Sequence, residues 1–256
     1  MKYYTGQFYD RIRERSLLSA KEIVPMVLKL VKPASVIDLG CGEGIWLSVF
    51  RDSGVEDIRG VDGAWIDKKR LNIPEERFVE FDLKDPYRTD RRFDLVVSLE
   101  VAEHLPVESA ETLIESLTGL GPVILFSASI PFSEGEQHLN EQWQDYWVCL
   151  FRERGYEVID CLRKKIWNIE NVEYWYAQNM FLFVKKDYLE ENDLLRREYE
   201  KTDNSQLSIV HPVRYLEVVE SKDPENITVR RAFITLLLTV RNSIKRRIEK
   251  LLHIGT

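Results

Sequence analysis

The amino-acid sequence predicts an α/β fold in which a mostly parallel, seven-stranded sheet carries helices on both faces, with a helical C-terminal extension. Three observations support this prediction. Short apolar segments alternate with longer segments of helical periodicity between residues 34 and 186, which is typical of parallel strands joined by helices. The first apolar segment leads directly into a glycine-rich turn. The last two follow each other without an obvious helix, so the final strand is expected to be antiparallel.

An N-terminal helical segment, residues 1–33, precedes the sheet. Apolar side chains between Gln7 and Val31 recur at the spacing of an amphipathic helix. Pro25 lies inside this stretch, and because proline lacks the backbone N–H group, it is predicted to break or kink the segment into two helices. Pro33 is predicted to end the segment before the first strand.

Residues 34–186, the predicted sheet domain, contain seven segments with the composition of buried strands. They are Val36–Leu39, Ile58–Asp62, Phe78–Phe81, Phe93–Leu99, Pro122–Ala128, Tyr156–Cys161 and Asn179–Val184. The stretches between them that predict helices are Ile45–Asp52, Val107–Leu120 and Glu141–Arg154. With 256 residues, of which 44% are hydrophobic, the chain is long enough to bury one such core and carry an appendage.

The appendage, residues 187–256, is predicted to be helical. Asp187–Lys201 has the composition of a charged surface helix, and Val229–Leu252 that of a basic amphipathic helix. A helix of the second kind can pack on its own domain or pair in a homodimer. It can also lie on an anionic membrane as a peripheral contact. Both alternatives stay open on the sequence, and packing or dimerisation is favoured.

The net charge and the cysteine content limit which partners and which cellular compartment are expected for this protein. The net charge is -7, so phosphate repels the chain, and nucleic acid is not expected among its partners. The three cysteines, Cys41, Cys149 and Cys161, fit no disulfide or metal pattern, which predicts a cytoplasmic location. No metal-ligating residues are assigned, and the sequence leaves open whether a metal assists the reaction. The N-terminus lacks the apolar core of a signal peptide, and no apolar run approaches the roughly 20 residues that span a bilayer.

The glycine-rich turn, Asp38-Leu39-Gly40-Cys41-Gly42-Glu43-Gly44, lies between a predicted strand and a predicted helix. Glycines allow the backbone to turn sharply and a ligand to approach it closely. The free N–H groups of the helix start face the same place. A nicotinamide dinucleotide is one alternative, but its fingerprint spaces the glycines as G-x-G-x-x-G rather than G-x-G-x-G. A tight turn without a ligand is the other.

This turn resembles motif I, D/E-x-G-x-G-x-G, of the class I S-adenosylmethionine-dependent methyltransferases, whose domain is Rossmann-like. Three further stretches match that family in order. Gly60–Gly63 resembles the strand end whose acid holds the ribose hydroxyls, Phe81–Leu83 resembles the adenine contact, and Asp94–Leu105 resembles the strand beneath the sulfonium. The resemblance implies S-adenosylmethionine as cofactor and, as its binding residues, Asp38, Gly40, Cys41, Gly42, Gly44, Asp62, Gly63, Asp82, Leu83 and Leu99.

Three residues are candidates for catalysis. His138 lies in a polar loop after the fifth predicted strand, where a histidine can act as a general base near neutral pH. Its alternative role is to cap the next helix. His104 follows the fourth strand, where capping or loop fixing is favoured over catalysis. Glu100, at the end of that strand, is expected to neighbour the cofactor or the acceptor.

The aromatic-rich stretch between His138 and Asn179 resembles a bacterial subgroup of methyltransferases that accompany glycan and surface-polysaccharide enzymes. This second resemblance implies that the acceptor is a hydroxyl of a sugar, sugar nucleotide or glycan. The reaction would then be O-methylation by direct displacement, with a general base. Two alternatives remain: N-methylation of an amino sugar or small amine, and a non-catalytic, cofactor-binding assembly subunit.

Overall fold

A seven-stranded sheet forms the centre of the fold in the computed structural model, which describes residues 6–133, 135 and 137–222. The strands are β1 Ser35–Leu39, β2 Asp57–Asp62, β3 Phe78–Glu80, β4 Leu95–Leu99, β5 Val123–Ser127, β6 Tyr156–Ile159 and β7 Phe181–Lys185. Their order across the sheet is β3-β2-β1-β4-β5-β7-β6. The pairs of β7 with β5 and β6 are antiparallel, and the other described pairs are parallel. The predicted fold class and the antiparallel last strand are both confirmed.

The helices that pack around the sheet are α1 Gly6–Val31, α2 Ile45–Asp52, α3 Ala110–Leu120, α4 Gln144–Glu153, α5 Arg163–Ile166, α6 Tyr174–Asn179, α7 Lys186–Glu191 and α8 Asp193–Glu200. Two of them, α5 and α6, lie between β6 and β7, where no helix was predicted. They have 4 and 6 residues, which is too short for a helical period to show in the sequence.

The predicted break at Pro25 is wrong, because Pro25 lies inside the single helix α1. Three nearby residues of this helix, Ile23, Val24 and Val27, are fully buried, whereas Pro25 itself is exposed. Burial of this apolar face against the sheet domain outweighs the one backbone hydrogen bond that proline cannot form.

The sheet places one edge of the fold in position to bind a ligand. β1 pairs with β2 on one side and with β4 on the other, so the strand order reverses direction at β1. The crevice at the carboxyl ends of strands beside such a reversal is the usual ligand site of open α/β sheets. The glycine-rich turn after β1, Asp62 at the end of β2 and Glu100 after β4 all lie at this edge.

The chain divides into two units, with the boundary between His211 and Pro212. Leu189 of α7 and Leu195 of α8 are buried in the core of the first unit, and the division of domains expected after residue 186 stays a prediction. The described helix of the second unit is α9, Pro212–Lys222. The predicted basic helix Val229–Leu252 lies outside the described residues, so its packing and membrane alternatives stay predictions. No helix in the described ranges is long and apolar enough to cross a membrane.

Candidate active site

The glycine-rich turn has the left-handed backbone that favours glycine at Gly40, Gly42 and Gly44, whose φ angles are 86°, 54° and 75°. Packing adds a second requirement at two of these positions. A Cβ atom on Gly40 would lie 2.3 Å from Cγ2 of Val101, and one on Gly44 would lie 2.9 Å from Cγ1 of Ile73. These positions therefore tolerate no side chain, which keeps the backbone of the turn accessible to a ligand.

Asp62, at the end of β2, is tied to this turn. The residue is only 7% exposed, and its two carboxylate oxygens accept hydrogen bonds of 2.7 Å from the backbone N–H groups of Gly42 and Gly63. Burial raises the pKa of the Asp62 carboxyl, and these backbone donors partly offset that rise. Each oxygen keeps a lone pair for a further donor, so Asp62 can accept hydrogen bonds from two neighbouring hydroxyl groups.

Asp38 and Cys41 support the turn from the protein interior. Burial, followed by the charge of Asp62, raises the pKa of the Asp38 carboxyl well above its usual range. Burial also raises the pKa of the Cys41 thiol, which keeps it a neutral, unreactive thiol. A Cβ atom on Gly60 would lie 2.7 Å from Sγ of Cys41, so strand β2 and the turn are packed closely against each other.

Asp82, after β3, contrasts with Asp62 because it is half-exposed. It accepts a 3.1 Å hydrogen bond from the backbone N–H of Lys84 and pairs with the Lys84 ammonium at 2.9 Å. The Lys84 side chain lowers the pKa of the Asp82 carboxyl, so Asp82 is ionised at neutral pH. The neighbouring Leu83 is buried. Asp82 and Leu83 thus place one polar and one apolar side chain next to each other after β3.

A cavity of about 580 Å³ joins these groups to the carboxyl end of β4. This volume is typical of small-molecule sites. Its lining residues are Gly40, Asp62, Trp65, Asp82, Leu83, Lys84, Glu100, Val101, His104, Leu105, Pro106, Gln137 and Leu139. Of the predicted cofactor residues, Gly40, Asp62, Asp82 and Leu83 thus line the cavity in the described part of the chain. The roles of Asp38, Cys41, Gly42, Gly44, Gly63 and Leu99 as cofactor contacts stay predictions.

The predicted catalytic residue Glu100 has the left-handed φ of 54°, which is rare for a residue with a side chain. Its carboxylate accepts hydrogen bonds from Ser129 Oγ at 3.2 Å and Asn179 Nδ2 at 3.4 Å. Burial raises the pKa of the Glu100 carboxyl. Backbone strain of this kind persists where surrounding contacts hold it and is concentrated at functional sites.

His104 and His138 come together although they are distant in the sequence. Their ring centroids are 4.8 Å apart, with one ring edge-on to the other. The loop that carries His138 is held by the carbonyl of Glu103, which accepts hydrogen bonds from the backbone N–H groups of Leu139 at 2.7 Å and Asn140 at 3.0 Å. Of these two imidazoles, that of His104 lines the cavity and that of His138 does not.

Glu103 is a buried carboxyl beside these histidines that the sequence analysis did not single out. It is 1% exposed, and burial, followed by the charge of Glu100, raises the pKa of its carboxyl well above the usual range. Ligand-type atoms of Glu103, His104 and His138 lie within 4.8 Å of one another. The available signal was the run Glu100-Val101-Ala102-Glu103-His104 at a strand end, which brings two carboxyls and an imidazole to one place. We refer to Glu100, Glu103, His104 and His138 as the Glu–His cluster.

Comparisons with known proteins agree with this geometry. The family model described as "Methyltransferase domain" matches residues 9–165, more than half of the chain. The chain is 33% identical over 84 residues to "Ribosomal RNA large subunit methyltransferase E" of Caulobacter sp. (strain K31). That match covers 33% of this chain and 35% of the relative, so it spans about a third of the relative's length.

Solved structures share the fold at low identity. DesVI from Streptomyces venezuelae is 16% identical, with a TM-score of 0.50 over 72% of this chain and 100% of that one. The SAM-bound amino pentose methyltransferase CalS10 from Micromonospora echinaspora is 14% identical, with a TM-score of 0.52 over 73% of this chain and 99% of that one. With its glycine turn and its acidic strand ends, the chain belongs to the methyltransferase-domain family and is an enzyme that uses S-adenosylmethionine (SAM).

Proposed function

We propose that this enzyme methylates a hydroxyl group of a sugar, either free, nucleotide-linked or within a glycan. One observation supports this most strongly: the cavity continues from Gly40, Asp62 and Asp82 to the proton-accepting groups Glu100 and His104. When bound, SAM supplies a methyl group on a positively charged sulfur. A hydroxyl acceptor must lose its proton as it is methylated, and a nearby base assists that loss. A neutral amine has no such requirement.

The cofactor side of the cavity fits SAM. Asp62 would accept hydrogen bonds from the two ribose hydroxyls, because its oxygens are already held in place by Gly42 and Gly63. Asp82, ionised beside Lys84, would accept from the exocyclic amine of adenine. At Gly40 any Cβ atom would collide with Val101, and the bare backbone there allows the methionine part to approach closely.

The acceptor side supports the choice of a hydroxyl. Glu100 is held by Ser129 and Asn179, and His104 contacts His138, which in turn is 2.8 Å from Glu141. We assign proton removal to this Glu–His cluster. Within the cluster the proton acceptor would be Glu100, which lines the cavity. His138, the base expected from the sequence, does not line the cavity and would orient the cluster through its contact with His104.

The test is release of S-adenosylhomocysteine from SAM over a panel of sugar nucleotides, free glycans, amines and RNA. RNA is included because one relative is named a ribosomal RNA methyltransferase, and ribose also offers sugar hydroxyls. Release with a free sugar, a sugar nucleotide or a glycan supports the proposal. Release confined to amines or to RNA, or none with any acceptor while SAM binds, contradicts it. The Asp62→Ala variant, run on the same panel, excludes a contaminating enzyme.

A further inference from the structure

We propose that Glu103, His104 and His138 form a binding site for a divalent metal ion at the acceptor end of the cavity. The site combines two imidazole nitrogens with one carboxylate oxygen. Mixed nitrogen and oxygen ligands of this kind suit first-row divalent cations such as Mn²⁺, Fe²⁺ or Zn²⁺. Three protein ligands also leave coordination positions open for a substrate oxygen. The sequence by itself shows no convincing cluster of metal ligands and leaves open whether a metal assists, and the three side chains come together only in the folded structure.

The geometry of the three side chains is the first argument. One candidate ligand atom from each lies within 4.8 Å of those of the other two. Ligands on one ion at about 2.0–2.2 Å are separated by roughly 3–4 Å, so small rotations of the side chains are sufficient to close the site. Glu103 and His104 are neighbours in the short helical turn Ala102–His104, and His138 is brought to them by the two hydrogen bonds from its loop to the Glu103 carbonyl.

An unsatisfied carboxylate oxygen is the second, independent argument. Glu103 is almost completely buried, yet its Oε2 has no hydrogen-bond partner among the described residues. Leaving a buried polar atom without a partner is costly. Neither Glu100 nor Glu103 forms an ion pair with lysine or arginine within the described ranges, so a bound cation would provide the missing positive charge.

The partner of His138 supports its role as a ligand. Its Nδ1 is 2.8 Å from Oε1 of Glu141, and the other oxygen of Glu141 is held at 2.7 Å by the backbone N–H of Phe132. Histidines that bind metals commonly donate their second ring N–H to a carboxylate, which orients the ring and makes the free nitrogen a better ligand. The anchored Glu141 carboxylate would thus fix His138 with Nε2 as its ligand atom.

The bound cation would activate the acceptor. This role rests on the proposed function, in which the acceptor is a hydroxyl group. A divalent ion that binds the hydroxyl oxygen lowers its pKa and makes it a better nucleophile. The O–H bond then breaks with transfer of the proton to Glu100. A bond forms between that oxygen and the methyl carbon while the carbon–sulfur bond of SAM breaks, and its electron pair returns to sulfur. Glu100 lines the cavity beside His104 and is therefore placed to take the proton.

The experiment is titration of the chelator-treated full-length protein with Mn²⁺, followed by the electron paramagnetic resonance signal of the free ion. We expect one strong site per chain. The nearly isosteric Glu103→Gln change should weaken Mn²⁺ binding by about tenfold or more. His138→Gln, at a less buried position, provides a second test in case Glu103→Gln does not fold. The matched control is Glu108→Gln, an exposed acid nearby, which should bind like the parent protein.

Binding of SAM, measured on every variant, shows that the cofactor side is intact. No Mn²⁺ binding by the parent protein, or equal binding by the Glu103→Gln and His138→Gln variants, would overturn the site. The acceptor panel separates this outcome from failure of the proposed function. If Mn²⁺ binding depends on Glu103 but the methyl group is transferred only to amines, the metal site is supported and the hydroxyl acceptor is contradicted. If the rate of hydroxyl methylation is unchanged after treatment with the chelator, the proposed role of the metal ion in activating the acceptor is contradicted.

Discussion

The cofactor side and the acceptor side of the cavity are built by different means. On the cofactor side, Asp62 is held by backbone N–H groups of two glycines that lie on neighbouring strand ends. On the acceptor side, His104 and His138 meet only because the loop after β5 returns to the carbonyl of Glu103. The first side therefore depends on short local motifs, and the second on contacts between distant parts of the chain.

The two sides also differ in how completely hydrogen bonds within the protein satisfy their buried carboxylates. Both oxygens of Asp62 have backbone donors, whereas Oε2 of Glu103 has no partner in the part of the chain that the structure describes. A satisfied carboxylate is ready to bind a neutral ligand that donates hydrogen bonds. An unsatisfied, buried carboxylate instead favours a ligand that brings positive charge. The comparison predicts that damage to each side will show in a different measurement.

The largest expected effect is on turnover, from loss of a histidine on the acceptor side. His104→Ala and His138→Ala should each lower kcat for a hydroxyl acceptor by about 100-fold or more. Either change disrupts the Glu–His cluster that activates the hydroxyl, and assisted proton removal typically contributes that much. The affinity for S-adenosylhomocysteine, measured by calorimetry, should remain that of the parent protein. Retained turnover in both variants would show that the Glu–His cluster does not take part in the reaction. A loss of cofactor affinity would show that cofactor binding depends on the acceptor side as well.

The next largest effect is on cofactor affinity, from loss of the buried acid on the cofactor side. Asp62→Ala should weaken binding of S-adenosylhomocysteine by about 100-fold or more, since each lost hydrogen bond to a charged group costs roughly 1.5–3 kcal/mol. Asp90→Ala, at an exposed position, is the control. Calorimetry that finds unchanged binding would contradict the ribose assignment.

A third effect, on stability rather than on turnover or cofactor affinity, is expected from crowding the glycine turn. Gly40→Ala should lower the free energy of unfolding by about 2–4 kcal/mol, because it combines positive-φ strain with a collision against Val101. Gly54→Ala separates the two causes: its φ is also positive, at 103°, but its added Cβ would meet no described atom within 4 Å. Denaturant unfolding of both variants measures the difference, and equal losses would show that the contact with Val101 does not matter.

The smallest effect is expected at the exposed acid of the cofactor side. Asp82→Ala should weaken binding of S-adenosylhomocysteine by less than about tenfold, because solvent screens a half-exposed carboxylate. The same calorimetric titration used for Asp62→Ala gives the ratio of the two losses. An effect as large as that of Asp62 would mean that burial does not set the strength of these contacts, and would contradict the contrast drawn between them.

Most of the sheet could be predicted from the sequence because it depends on local signals. Apolar strands, the glycine turn and the missing crossover before β7 are each visible within a few neighbouring residues. The prediction was wrong at Pro25, where burial of Ile23, Val24 and Val27 holds a continuous helix. It also missed α5 and α6, whose 4 and 6 residues are shorter than a readable period.

The sequence by itself determined where the cofactor side would lie, because a strand, a turn with three glycines and an acid on the next strand are adjacent in the chain and in the sheet. Only the tertiary structure decided the acceptor side. It showed that His104 rather than His138 lines the cavity, and that Glu103 is a buried neighbour of both histidines. The physical reason is that side chains far apart in sequence meet only through loop packing, and no local spacing encodes the distance between them.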